Sequence, residues 1–398
     1  MTTQSFNRAN TTVYMILFAA AGCHLINDTL QAVMLSVYPM LKENYALTFT
    51  QVGIMTMVFQ VTASILQPLI GLYTDRKPLP YLLPFGPAFT AAGLLLLATA
   101  HSYPALLIAA ACIGIGSSIF HPDASRVTRL ASGGQFGMAQ SVFQVGGNIG
   151  TSIGPLLAAG IVLQRGQSSL SWFVALAALS MAILSGVGRW YATHLTLKKS
   201  VEPRLKIGLS QRTINTSLAI LVALMFSKFV YMACMHSFYT FYLIDKFGVS
   251  TRDSQIYLFI LLGAVAIGTF AGGPIGDRIG RKSVIWFSIL GTLPFSLALP
   301  HLNLFWTVAC TIPIGLILSS AFSAMVVYAQ ELMPGRVGMI SGLFFGLAFG
   351  SGGLGAAVLG TIADHTTLQF IFELCSVLPA IGLLAYYLPN TEQLKSKA

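Results

Sequence analysis

The chain has 398 residues, of which 55% are apolar and only 9% charged, with a formal net charge of +10. A mean hydropathy of +0.76 excludes a soluble globular domain. The positive charge requires no nucleic-acid partner, because the distribution of Lys and Arg between apolar spans accounts for it.

Twelve stretches of about 18 to 30 mostly apolar residues are each long enough to cross a hydrocarbon core of about 30 Å. They run 13–40, 51–73, 80–100, 104–125, 137–163, 169–192, 214–244, 254–276, 283–300, 303–328, 338–362 and 367–388. Barrel strands would be about 10 residues long with alternating polarity, so these spans are read as helices. The expected fold class is an all-α membrane protein of twelve transmembrane helices in two pseudo-symmetric six-helix halves. Its domains would be a cytoplasmic N-terminal segment (1–12), a first six-helix bundle (13–192), a cytoplasmic linker (193–213), a second bundle (214–388) and a cytoplasmic tail (389–398).

Orientation follows from the basic residues, which translocated short loops avoid. Most of the 22 Lys and Arg fall on the side of the linker and both termini, which are therefore expected to be cytoplasmic. Residues Met1 to Thr12 lack the basic start and small-residue cleavage site of a secretory signal, so the first span is expected to be retained. The five cysteines all lie in apolar spans with no metal-ligand spacing and read as packing residues.

Span one is interrupted by His24, Asn27 and Asp28, and the four-residue step places His24 and Asp28 on one helix face. A carboxylate near mid-membrane is costly, so Asp28 should face a wet cavity or a partner, or make a structural hydrogen bond to a neighbouring helix. His24 is either part of the same feature or a packing histidine. Span two ends at Gly71, and the following Asp75, Arg76 and Lys77 begin a short cytoplasmic turn. Span four closes on Phe120-His121-Pro122-Asp123-Ala124-Ser125-Arg126. The proline should kink or end that helix, and Arg126 lies within reach of Asp123 for an ion pair; alternatively His121 and Asp123 only cap a helix end. Span five carries Gly150, Gly154 and Pro155, with the small-x-x-x-small spacing of close helix contacts.

After the linker the pattern recurs at an offset of about 200 residues, the mark of a two-halved secondary transporter. Asp277, Arg278, Arg281 and Lys282 answer Asp75, Arg76 and Lys77. Lys228 in span seven answers Asp28, and either ionises beside a partner or snorkels toward an interface. His236 follows two turns later. Glu331 and Arg336 are expected to share the cytoplasmic mouth of span ten.

The string Gly273-Pro-Ile-Gly-Asp-Arg-Ile-Gly-Arg-Lys282 resembles the loop signature of the major facilitator superfamily, and Gly150-Thr-Ser-Ile-Gly-Pro155 looks like the fifth-span motif of its exporters. Phe120-His-Pro-Asp-Ala-Ser-Arg126, Phe143-Gln-Val-Gly-Gly-Asn148 and Tyr328-Ala-Gln-Glu-Leu-Met-Pro-Gly-Arg336 are similar to the bacterial fosmidomycin resistance protein family. The resemblance implies the major facilitator fold and a multi-pass protein of the bacterial inner membrane. It also implies export of a small antibiotic by proton antiport through alternating access, with lipid, protons and drug as partners and a monomeric state. On that basis Asp28, His24, Lys228, His121, Asp123, Arg126, His236 and Glu331 are candidates for the proton-coupling or substrate cavity. Asp75, Arg76, Lys77, Asp277, Arg278, Arg281 and Lys282 would be gating loops, and Gly150, Gly154 and Pro155 a hinge.

The chain departs from the family pattern in three places. The first loop continues Pro78-Leu79-Pro80 instead of Gly-Arg-Lys, Ala110 stands where the exporter motif has arginine, and the fifth-span motif ends Ala158-Ala159. The missing arginine moves the expected proton handling to Asp28, His24, Lys228 or the His121 cluster. The alternative reading is uptake or exchange of a small anionic metabolite by the same fold. No nucleophile-base constellation, metal-ligand spacing or phosphate loop appears, so neither an enzyme nor a cofactor or metal is expected.

Overall fold

The computed structural model describes residues 12–47, 49–198, 209–249 and 251–390. The expected N-terminal segment before residue 12, the centre of the linker at 199–208, and the tail beyond 390 lie outside the described residues. Every regular element among the described residues is helical. The chain forms two compact units, Met1–Leu205 with Pro334–Gly346, and Lys206–Met333 with Leu347–Ala398.

The first unit holds α1 (Tyr14–Ser36), α2 (Phe49–Arg76), α3 (Phe85–Thr99), α4 (Tyr103–Ala131), α5 (Phe136–Leu157) and α6 (Val174–Lys198). The second holds α7 (Gln211–Phe247), α8 (Thr251–Ile279), α9 (Arg281–Leu290) and α10 (Leu304–Ser319, continued by Ala321–Leu332). The first turns of α11 (Val337–His365) belong to the first unit and the rest to the second. Also in the second unit is α12 (Leu368–Ser376), carried on by a 3₁₀ stretch at Leu378–Tyr387.

Eleven of the described helical stretches are long and apolar enough to cross a membrane. The remaining expected span is α5, extended by a π-type turn at Ala158–Val162 and by Leu163–Arg165. Its apolar run is interrupted by Gln140, Ser141, Gln144, Asn148, Thr151 and Ser152. It forms nonetheless because Gln140 and Ser141 are buried against neighbouring helices instead of facing hydrocarbon.

The helix end considered at Pro122 does not occur; α4 runs on to Ala131. A proline inside a helix costs about 3 kcal/mol. Here Phe120, His121, Asp123, Ala124, Ser125, Arg126, Val127 and Ala131 are all buried around it, and that packing offsets the lost bond.

In the first unit α1 lies along α5, while α2 and α3 both lie along α4. Without a hydrophobic driving force between helices in lipid, such contacts depend on close backbone approach and hydrogen bonds. Gly146 and Gly150 supply it on α5: a Cβ on either would land on the backbone of Ala21 or Leu25 in α1. Gly154 lies against Ala32 and Thr29, and the Thr29 hydroxyl donates to the Gly150 carbonyl at 3.2 Å. The same device seats the start of α11. Gly338, Gly342 and Gly346 press against Gly71, Gln67 and Ser64 of α2.

In the second unit α8 packs along α10, and α7 against α12 and its 3₁₀ continuation. Ser227 ties α7 to that continuation by donating to Leu378 O at 2.7 Å.

Gly150→Val is expected to force α5 off α1 and destabilise the first unit by about 1–3 kcal/mol, the usual cost of overpacking. The readout is a lowered thermal midpoint of the purified protein. Ser152→Ala, at an exposed position two residues along the same helix, is the control and should leave the midpoint nearly unchanged.

Candidate functional site

Three polar constellations emerge, two in the first unit and one in the second. The deepest joins α1, α4 and α5. His24 and Asp28 stand one turn apart on α1, with His24 Nε2 3.2 Å from Asp28 Oδ2. His121 enters from α4, its Nε2 3.2 Å from His24 Nε2 and 3.7 Å from Asp28 Oδ1. All three side chains are buried. Asn27 donates to Asp28 Oδ1 at 3.0 Å and orients the carboxylate. The rings of Phe120, Phe143 and Phe345 surround the imidazoles, Phe143 stacking on His24 with centroids 4.1 Å apart.

The backbone assigns the tautomers. His24 Nδ1 lies 2.7 Å from Phe143 O, and His121 Nδ1 lies 2.9 Å from Ser117 O. A carbonyl only accepts, so both Nδ1 atoms carry hydrogen and donate, and each neutral ring presents an Nε2 lone pair. Two lone pairs and a carboxylate therefore converge. They repel unless a proton or another cation lies among them.

Gly147 of α5 closes this face. A Cβ there would come 2.5 Å from His24 Nε2 and 2.7 Å from Asp28 Oδ2. Glycine is what leaves room for the cluster. The donor atoms of His24, Asp28 and His121 all lie within 4.8 Å of one another, a metal-competent set that spacing along the chain did not reveal.

The second constellation centres on Arg126 of α4. Its Nη1 pairs with Asp123, as the sequence predicted. Its Nη2 also bonds Asp75 Oδ1 at 2.6 Å and the Thr74 hydroxyl at 2.9 Å, and the Tyr191 hydroxyl lies 3.5 Å from Nη1. Asp75 in turn accepts from Gly338 N at 2.9 Å and Met339 N at 2.8 Å. That carboxylate caps the first turn of α11, where free N–H groups and the helix dipole favour negative charge. Arg76 and Lys77 are exposed and stand apart from this network.

In the second unit, Arg281 of α9 reaches Asp277 at 2.9 Å and Glu331 of α10 at 3.4 Å. Glu331 is buried beside this guanidinium, and Arg336 is exposed. A buried carboxylate gains more from a buried cation than from a solvated one. Arg278 is exposed, and Lys282 donates to Tyr386 O at 2.9 Å.

Lys228 of α7 is buried, its ammonium 5.3 Å from the Phe229 ring centroid and 5.5 Å from that of Phe322. Among the described residues no carboxylate lies within ion-pair distance of it. His236, further along α7, is exposed and joins none of these constellations. Gly150 and Gly154 act as helix contacts, and Pro155 contributes its backbone to α5. Sequence reasoning missed Gly147, Phe143, Thr74 and Tyr191 as site residues. The string Phe143 to Asn148 held the first two, but only the fold shows what they touch.

The chain matches the Major Facilitator Superfamily over residues 17–357 and 224–398. It is 52% identical over 381 residues to the fosmidomycin resistance protein of Escherichia coli, covering 95% of this chain and 94% of that one. It is 40% identical over 396 residues to the uncharacterized MFS-type transporter YfnC of Bacillus subtilis, covering 98% and 97%. Among solved structures the Escherichia coli fucose:proton symporter FucP superposes with a TM-score of 0.70 at 16% identity, over 94% of this chain and 98% of that one, which shows the shared fold. The chain is therefore a multi-pass membrane transporter, not an enzyme, and belongs to the Major Facilitator Superfamily.

Proposed function

We propose that this transporter exports a small anionic antibiotic of the fosmidomycin type from the cytoplasm in exchange for protons. One observation carries the substrate: a relative sharing 52% identity over nearly the whole chain bears the name fosmidomycin resistance protein. The buried groups supply a mechanism. With Asp28 ionised and both histidines neutral, the cluster carries one negative charge. Adding a proton between the Nε2 atoms turns it into an imidazolium-carboxylate pair with no net charge. Burial makes this difference large, because little solvent screens it.

α5 has no titratable side chain along its length, and Phe345 from the start of α11 packs against both imidazoles. Proton uptake from the outer side and release to the inner side would thus change the charge of the first unit by one. A transporter converts such a change into a shift between two packings. The clasp of Asp75 on the first turn of α11 is a bond of the kind that breaks and reforms in that shift.

Lys228 supports an anionic substrate. A buried ammonium flanked by phenyl rings and lacking a carboxylate gains most from an anion brought by the substrate itself. The same feature suits the alternative, uptake or exchange of a small anionic metabolite, because positive charge does not set direction. The distribution of basic residues supports a cytoplasmic position for both termini and the linker.

In inside-out vesicles with an acidified lumen, labelled fosmidomycin should accumulate, and collapsing the gradient should stop it. Asp28→Asn should abolish the gradient dependence while the protein stays folded in the membrane. Gradient-driven accumulation by Asp28→Asn would remove Asp28 from coupling. Net accumulation of fosmidomycin by intact cells expressing the protein, in place of depletion, would support uptake.

Lys228→Met should raise the half-saturating concentration of fosmidomycin at least about tenfold, the worth of roughly 1.4 kcal/mol, and Lys228→Arg should recover part of it. Equal saturation curves for Lys228→Met and the unchanged chain would contradict the assignment.

A further inference from the structure

We propose that the His24, Asp28 and His121 cluster also binds a divalent transition-metal ion of the zinc and cobalt class, in place of the shared proton. This does not rest on the export reading, since it follows from the geometry of the cluster alone.

An ion held at about 2.0–2.1 Å from each of its ligands in tetrahedral geometry separates those ligands by about 3.3 Å. The three separations here are 3.2 Å between the two Nε2 atoms, 3.2 Å from His24 Nε2 to Asp28 Oδ2, and 3.7 Å from His121 Nε2 to Asp28 Oδ1. The two imidazole nitrogens are already spaced as ligands, and each faces a different oxygen of the carboxylate, which would bind through both oxygens or turn to present one; with one donor per residue the set lies within 4.8 Å.

The outer contacts match as well. Histidines that ligate a metal ordinarily donate their other ring nitrogen to a carbonyl or carboxylate, which fixes the ring and the tautomer. Both histidines do so, through Phe143 O and Ser117 O. The carboxylate is oriented by Asn27, whose own Oδ1 is buried with no hydrogen-bond partner. Gly147 leaves the approach to His24 Nε2 and Asp28 Oδ2 clear, where any side chain would intrude.

The donor set selects the ion. Two imidazoles and one carboxylate suit zinc, cobalt and nickel, whereas calcium and magnesium take all-oxygen sites. The deprotonated cluster is singly negative, so a dication is attracted where a proton would otherwise sit. Metal and proton compete, and affinity should fall as pH is lowered.

The test uses the full-length chain without an affinity tag, in detergent micelles, titrated with Co²⁺ at pH 7.5 and again at pH 6. The expected result is a visible absorption band of tetrahedral Co²⁺ saturating at one equivalent, displaced by Zn²⁺ and weakened at pH 6. His121→Gln should weaken binding by more than about tenfold, with a thermal midpoint in the absence of metal showing that the variant is folded. A band of equal strength in His121→Gln and His24→Gln, or none in the folded unchanged chain, would overturn the proposal. If these variants do not fold, X-ray absorption of the zinc-loaded unchanged chain decides. Two imidazole nitrogens with oxygen completing the shell support the site, and sulfur ligands or a single imidazole contradict it.

Discussion

Two imidazole lone pairs and a carboxylate are packed into contact where little water reaches, and they repel unless a cation is shared among them. This constraint organises the first unit. His24 and Asp28 are held by α1, His121 by α4, and the space for them exists because α5 offers Gly147 on that face. The glycines at 146 and 150 bring α5 against α1 on either side of it. Close helix packing and the buried cluster are thus one arrangement. A bulkier α5 would lose both, because the side chains that fill the gap are the polar ones.

Charge economy runs through both units. In each, a single guanidinium serves two carboxylates: Arg126 serves Asp75 and Asp123, and Arg281 serves Asp277 and Glu331. Removing the arginine from such a buried set costs about 3–5 kcal/mol, since both carboxylates are then left unpaired. The two clusters are built differently, however. The first draws its arginine from within a long helix, and the second from the first residue of α9. The first also reaches the backbone of α11 through Asp75, which makes a carboxylate both an ion-pair partner and a helix cap.

How much of this is legible in the sequence depends on range. The spans can be read because each is a local run of apolar residues, and the pairing of His24 with Asp28 because they sit four apart on one helix. The Arg126 pair with Asp123 is legible for the same reason. His121 joining His24 is not, since that contact spans 97 residues and exists only through the packing of α4 on α1. Asp75 reads as a loop charge, but its role as a cap on α11 depends on a helix more than 260 residues further along the chain. Glu331 reads as a residue at the mouth of span ten, but its contact with Arg281 depends on α9 packing beside α10. Pro122 reads as a kink or a helix end because propensity is local, while the contacts that carry α4 past it are not.

The central claim is that both histidines carry hydrogen on Nδ1 and turn Nε2 lone pairs toward Asp28. Nitrogen-15 NMR of histidine-labelled protein reads this directly, with His24→Gln and His121→Gln used to assign the two rings among the seven histidines. Both signals should show a protonated Nδ1, with the Nε2 signals of the pair moving together as one proton is taken up. Two rings protonated at Nε2 and bare at Nδ1 would contradict the account, because the backbone carbonyls would then have no donor and the cluster no need of a shared cation.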